Sequence, residues 1–133
     1  MNTKKYLIAS VAAGIWIFFY GYLANAVVLA DFWAAHTSQG LMRTPGEEIM
    51  WAIMLSCLLQ GLALGYIFTR GYEATGIGEG VRFGFLIAWF VAAVYLLFYA
   101  LQPVPFVATA VSMVTDGIMY VGAGIILASL YKR

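Results

Sequence analysis

The chain has 133 residues, 64% of them hydrophobic and only 10% charged, with a formal net charge of +1. A soluble domain carries about 25% charged residues, so this composition excludes a water-soluble globule and points to a single integral membrane domain, residues 1–133. Without a basic cluster there is nothing to bind nucleic acid, and the lone Cys57 leaves no intrachain disulfide.

The first apolar stretch runs from Tyr6 to Ala30 without a formal charge. Lys4 and Lys5 before it, and Ala24-Asn25-Ala26 within it, are reminiscent of a cleaved signal. The run is too long for one, so it is expected to be retained as a span. The connection 31–46 is the only long one. Its Asp31-Phe32-Trp33-Ala34-Ala35-His36 stretch suits the membrane interface, where Trp and Tyr are favoured. His36 reads either as a ligand or proton relay or as an interfacial polar residue. Thr44-Pro45-Gly46-Glu47 reads as a helix start, with Thr44 as the cap and Glu47 returning a hydrogen bond to it. Glu47 and Glu48 complement the helix dipole there or hold an external cation.

The second span is expected at Ile49–Thr69 and the third at Phe83–Leu101, joined by a glycine-rich connection. Gly76, Gly78 and Gly80 miss the Gly-x-Gly-x-x-Gly spacing and no Gly-Lys-Ser/Thr follows, so a nucleotide loop is rejected. Glu79 and Arg82 stand three apart, a spacing that predicts an ion pair across one turn, anchoring the third span at the headgroups. Pro103 and Pro105 reverse the chain before the fourth span, Phe106–Tyr131. About 20 apolar residues cross a hydrocarbon core as a helix, and lipid offers no partner for free backbone groups. The expected fold class is therefore all-α, a four-helix transmembrane bundle. Lys4, Lys5, Arg70, Arg82, Lys132 and Arg133 fall on one side and Arg43 on the other, which predicts both termini cytoplasmic.

Lipid tails do not drive helices together, so close backbone approach and polar bonds must. Small residues mark helix-packing seams: Gly61 and Gly65 on the second span, Gly80, Gly84, Ala88 and Ala92 on the third, and Gly117, Gly124 and Ala128 on the fourth. Asp116 is the only formal charge inside the four stretches. A carboxyl at bilayer depth costs roughly 2.5–3.5 kcal/mol and marks a functional site by default. Thr109, Ser112, Asp116 and Tyr120 share one helical face. Gln60 falls at the depth of Asp116, with Ser56 on the same face of its helix. The expected buried polar cluster is Asp116, Gln60, Ser112, Asn25 and Tyr120, with Tyr20, Tyr22, Tyr95 and Tyr99 extending it outward. Its resting form is expected to be a neutral acid bonded to Gln60 or a tyrosine. The bland alternative is polar glue between helices.

No catalytic pair of nucleophile and base is visible, so no enzymatic activity is expected. Met42, Met50, Met54, Met113 and Met119 do not converge with Cys57 and His36 into a copper path, and no His within a span can ligate haem. No metal and no cofactor are expected.

The ends of the second and fourth spans, Gly61–Arg70 and Gly124–Arg133, can be superposed as a short apolar repeat, a match that chance also produces. The central connection, Phe68-Thr69-Arg70-Gly71-Tyr72-Glu73, Gly76 and Glu79-Gly80-Val81-Arg82-Phe83-Gly84, with Pro103-Val104-Pro105 and Leu130-Tyr131-Lys132, resembles a family of small four-helix bacterial inner-membrane proteins of unknown function. Such proteins often carry a His late in span 1 and a Glu in span 4. Here Asn25 and Met119 stand nearest, with Asp116 one turn earlier. The resemblance implies the bacterial inner membrane and supplies no activity. The functional expectation is a self-associating bundle, in contact with membrane lipid, that handles a small solute, ion or proton at Asp116. The alternative is an accessory subunit docked to a larger membrane complex.

Overall fold

The computed structural model describes residues 2–36 and 47–131. The chain forms α1 (Thr3–Gly21), continued by a π-helical segment (Tyr22–Val28), then α2 (Ala30–His36), α3 (Met50–Arg70), α4 (Ile77–Leu101) and α5 (Phe106–Leu130). No strand occurs among the described residues. Four helical stretches are long and apolar enough to cross a membrane: Thr3–Val28, Met50–Arg70, Ile77–Leu101 and Phe106–Leu130.

Asn2 caps α1, its Oδ1 accepting from the Lys5 N–H at 3.1 Å. The expected cap at Thr44, with Pro45 and Gly46, lies outside the described residues, as do Arg43, Lys132 and Arg133. α3 starts at Met50 with no side-chain cap on Ile49. The third span begins at Ile77, earlier than the expected Phe83, because the glycine-rich stretch is helix rather than loop. The chain turns just ahead of it, where Ala74 and Gly76 take φ values of 60° and 92°.

The expected pair of Glu79 with Arg82 does not form. Arg82 Nη2 meets Glu73 Oε2 at 3.3 Å instead, in an exposed contact. Glu79 is 5% exposed and folds back over the turn, accepting from the Glu73 N–H at 2.6 Å and the Thr75 N–H at 3.3 Å. The early helix start explains this. Glu79 becomes the third residue of α4, where a carboxylate reaches back to free N–H groups and faces the positive end of the dipole.

The helices form two hairpins. α1 packs along α3, α4 packs along α5, and the hairpins join through α1 and α5. Each hairpin closes on a pair of small residues from each helix. A Cβ placed on Gly61 would meet the Ser10 carbonyl oxygen and, at 2.8–2.9 Å, the Gly14 backbone. In the second hairpin, a Cβ on Gly80 would meet the Gly124 carbonyl oxygen, and one on Gly84 would come to 2.5 Å from the Tyr120 carbonyl oxygen and Val121 Cα. Gly65 faces Ser10, and Ala128 faces Gly80, in the corresponding positions one turn on. Ala88 and Gly117 continue the second seam at ordinary contact distance. Such close backbone approach gives packing that lipid cannot match.

The first and last described residues, Asn2 and Tyr131, lie on one face, here the terminal face, where the Asn2 N–H reaches Tyr131 Oη at 3.3 Å. The buried core gathers toward it. Ala9, Ala13, Ile17, Leu64, Phe68, Ala123, Leu127 and Tyr131 pack together, and Phe68 touches Phe83 edge to face at 5.4 Å. Toward the opposite, distal face, α3 has no buried residue from Met50 to Gln60, though its backbone still lies against α1 at Cys57 and Leu58.

Candidate functional site

The polar residues sit halfway along α3 and α5. Asp116 is ten residues into α5 and Gln60 ten residues into α3, about 15 Å along each axis at 1.5 Å per residue. Around α5, one side carries Thr115, Met119 and Gly122 toward α1, and another carries Gly117, Val121 and Gly124 toward α4. Between them lies the stripe of Ser112, Asp116, Tyr120, Ala123 and Leu127. Its lower half, Ala123 and Leu127, is buried in the core. In its upper half Ser112, Asp116 and Tyr120 are all only partly buried, and Tyr120 reaches α3.

Three tyrosines from three helices converge here. Tyr95 of α4 donates its hydroxyl proton to Asp116 Oδ2. Tyr120 donates to Gln60 Oε1 at 3.0 Å, and Gln60 Nε2 donates onward to Ser56 Oγ at 3.1 Å. Tyr20 of α1 donates to the Thr115 carbonyl at 2.9 Å. Beside it Trp16 donates to the Met119 carbonyl at 2.8 Å and packs on the Tyr20 ring at 5.2 Å.

Of the two partners expected for Asp116, Gln60 or a tyrosine, the structure gives it Tyr95, and Gln60 bonds Tyr120 instead. Asn25 stands apart from the cluster. Its Oδ1 accepts from Trp33 Nε1 at 3.0 Å in an exposed contact. The π-helical segment accounts for this: Leu29 N–H bonds the Ala24 carbonyl five residues back, and the wider turn rotates Asn25 away from the direction an α-helix would give it. Tyr22 is exposed, and Tyr99 packs on Phe106. His36 is occupied locally, with Nδ1 2.9 Å from the Phe32 carbonyl and its ring stacked on Phe32 at 4.3 Å.

Two features were missed by sequence reasoning. The first is the Ser10–Gly14 half of the α1–α3 seam, which the small-x-x-x-small spacing itself signals. The second is the use of the Thr115 and Met119 carbonyls as acceptors, for which the sequence holds no signal. Among the described residues no group of three His, Cys, Asp or Glu side chains could hold a metal ion. A shallow apolar groove on α4, lined by Leu86, Trp89, Phe90 and Ala93, is separate from the cluster.

Comparison with protein-family models, with curated proteins and with solved structures finds no match. The site has to be read from its own chemistry. It holds a carboxyl near the middle of a membrane-length helix, bonded by the Tyr95 hydroxyl, with Tyr120 and Tyr20 bonded to Gln60 and the Thr115 carbonyl nearby.

Proposed function

We propose that the protein is a multi-pass protein of the bacterial inner membrane, both ends cytoplasmic, that handles a proton, ion or small solute at the Asp116 cluster, working as an oligomer. The observation that carries this reading is the two hydrogen-bonded sets of exchangeable groups at mid-span, Tyr95–Asp116 and Tyr120–Gln60–Ser56. Polar glue alone needs one bond between two helices. Here three further helices contribute to the surroundings of one α5 carboxyl. The orientation rests on Lys4, Lys5, Arg70 and Arg82 lying toward the terminal face.

The test is flux into vesicles. The full chain, reconstituted with a trapped pH-sensitive dye, carries protons or cations in a manner that Asp116→Asn abolishes. Equal flux from the wild type and a folded Asp116→Asn variant overturns the reading.

A second reading, an accessory subunit, is favoured by α4. This helix packs chiefly on α5 and turns Phe85, Trp89 and Phe90 outward, each more than 60% exposed. Stoichiometric partner chains after mild-detergent purification support it, and a pure homo-oligomer counts against it.

A further inference from the structure

We infer that the protein joins a second copy of itself head to tail, with α4 of one chain seated on α3 of the next. The inference rests on the oligomer of the reading above and names its interface. Its evidence is a repeat in the structure and not Asp116.

The two hairpins are one unit built twice. A Cβ on Gly14 of α1 would meet the Cys57 carbonyl oxygen at 3.0 Å and Leu58 Cα at 3.4 Å, and one on Gly84 of α4 would meet the Tyr120 carbonyl oxygen and Val121 Cα. A Cβ on Gly61 would meet the Ser10 carbonyl oxygen and the Gly14 backbone nitrogen, and one on Gly124 would meet the Gly80 carbonyl oxygen and the Gly84 nitrogen. The contacts correspond atom for atom. Ser10 and Gly14 of α1 therefore match Gly80 and Gly84 of α4, and Cys57, Leu58 and Gly61 of α3 match Tyr120, Val121 and Gly124 of α5. This is the register in which Gly61–Arg70 superposes on Gly124–Arg133 in the sequence. Leu64 and Phe68 are buried, as are their counterparts Leu127 and Tyr131. Both hairpins run in the same direction, which makes the repeat a parallel one.

The contact between the hairpins is made once and left over once. The first hairpin joins the second through α1 and α5. Trp16 donates to the Met119 carbonyl and lies against Gly122, and Tyr20 donates to the Thr115 carbonyl. In the repeat register Trp16 and Tyr20 correspond to Leu86 and Phe90 on α4, and Thr115, Met119 and Gly122 correspond to Ala52, Ser56 and Leu59 on α3. Leu86, Phe90 and Leu59 are each more than half exposed. Within one chain α3 packs on α1 and α4 on α5, with no comparable packing of α4 on α3 among the described residues. Those two helices touch near the terminal face, where Phe68 meets Phe83.

The two leftover faces suit each other. The inner contact sets a large side chain on none, Trp16 on Gly122. Its counterpart sets two of middle size together, Leu86 on Leu59, so the space between the helices is filled in both cases. Trp16 and Tyr20 each bring a donor that finds a carbonyl. Leu86 and Phe90 bring none, so covering α4 strands no polar group of theirs. Leu86, Trp89, Phe90 and Ala93 line a shallow groove, the form that takes the ridge of another helix. Residues 50–69 and 83–101 contain no Asp, Glu, Lys, Arg or His, so the faces meet without electrostatic cost, and packing alone holds such a contact in lipid. The chain's own α3 is fixed elsewhere, against α1 at Gly14 and Gly61 and to α5 through the Tyr120–Gln60 bond. A second copy in the same membrane presents its α3 in the direction and register that the α1–α5 contact already uses. The interface is heterologous, so it continues from copy to copy until rotation closes a ring.

The experiment co-expresses two full chains with different tags in one membrane, both Cys57→Ala, one carrying Leu59→Cys and the other Leu86→Cys, and oxidises them. We expect a disulfide-linked pair containing both tags. Either chain alone should give none, and so should Leu59→Cys with Ile118→Cys, which is exposed on α5 outside the matched faces. A size exchange supplies a second arm that needs no cysteine. Leu86→Trp should abolish energy transfer between donor- and acceptor-labelled chains in vesicles, and Leu86→Trp with Leu59→Gly, which reproduces the sizes of Trp16 and Gly122, should restore it. Absence of the mixed pair, energy transfer unchanged by Leu86→Trp, or a different protein cross-linked at Leu86→Cys in place of a second copy overturns the inference. A disulfide confined to one chain when both cysteines are placed in it also overturns it. Asp116-dependent flux without the mixed pair overturns this interface and leaves the Asp116 chemistry standing. The mixed pair without Asp116-dependent flux overturns the Asp116 chemistry and leaves the interface standing.

Discussion

Gly80→Ala isolates the cost of close helix approach. The added methyl would meet the Gly124 carbonyl oxygen, with Ala128 Cβ at 2.7 Å and the Gly124 carbonyl carbon at 2.8 Å. Two of these three neighbours are backbone atoms, which no rotamer change can move. Restoring carbon contacts to about 3.5 Å requires α4 and α5 to part by roughly 0.8 Å. A gap of 0.5–1 Å forfeits about a quarter to a half of each dispersion contact along the seam. Overpacking of this kind costs about 1–3 kcal/mol, which is roughly a 5- to 150-fold shift in the unfolding equilibrium at ~1.4 kcal/mol per decade. Gly78 lies two residues earlier in the same helix, and a methyl there would find nothing within 4 Å. Gly78→Ala therefore gains about 0.5–1 kcal/mol through helix propensity. The assay is reversible unfolding of the full chain in mixed micelles, followed by circular dichroism. The two substitutions should move the midpoint in opposite directions. If Gly80→Ala is as stable as Gly78→Ala, the seam does not hold the hairpin and the reasoning fails.

Glu79→Ala removes two charge-assisted hydrogen bonds from a buried carboxylate and should destabilise by about 2–4 kcal/mol, whereas Arg82→Ala breaks an ion pair with side chains 60% and 63% exposed, worth under about 1 kcal/mol; equal losses in the micelle unfolding assay would refute the assignment. Ser10 is fully buried, and its Oγ has no hydrogen-bond partner among the described residues. Ser10→Ala should therefore stabilise by about 1 kcal/mol, and a clear loss of stability would show that the hydroxyl is satisfied. Tyr120→Phe cuts the bond that bridges α5 to α3 across the cluster; cysteine accessibility at Cys57 should rise as α3 loosens, and unchanged labelling would show that the bond does not hold α3.

The four spans were legible because apolar length alone decides them in a membrane. The start of α4 was not. Its lead-in reads as a glycine-rich connection, although Gly80 and Gly84 already stand on the expected packing seam and are glycine because another backbone lies against them. The helical spacing of Glu79 and Arg82 suggests that they pair with each other and hides the role of Glu79, whose partners are N–H groups of the turn. In the polar cluster, helical spacing placed Ser112, Asp116 and Tyr120 on one face. Depth suggested Gln60, and the tyrosine set included Tyr20 and Tyr95. Which hydroxyl meets which acceptor depends on how the hairpins cross, and no spacing rule contains that. Asn25 was placed by depth on an assumed α-helix, and the π-helical segment changed its direction.

Asp116 has to be a carboxyl that the membrane interior can reach. Vesicles containing the full chain, treated with a hydrophobic carbodiimide and read by peptide mass spectrometry, test this. Modification should appear at Asp116. Labelling confined to the carboxylates outside the spans, with Asp116 untouched, would contradict it.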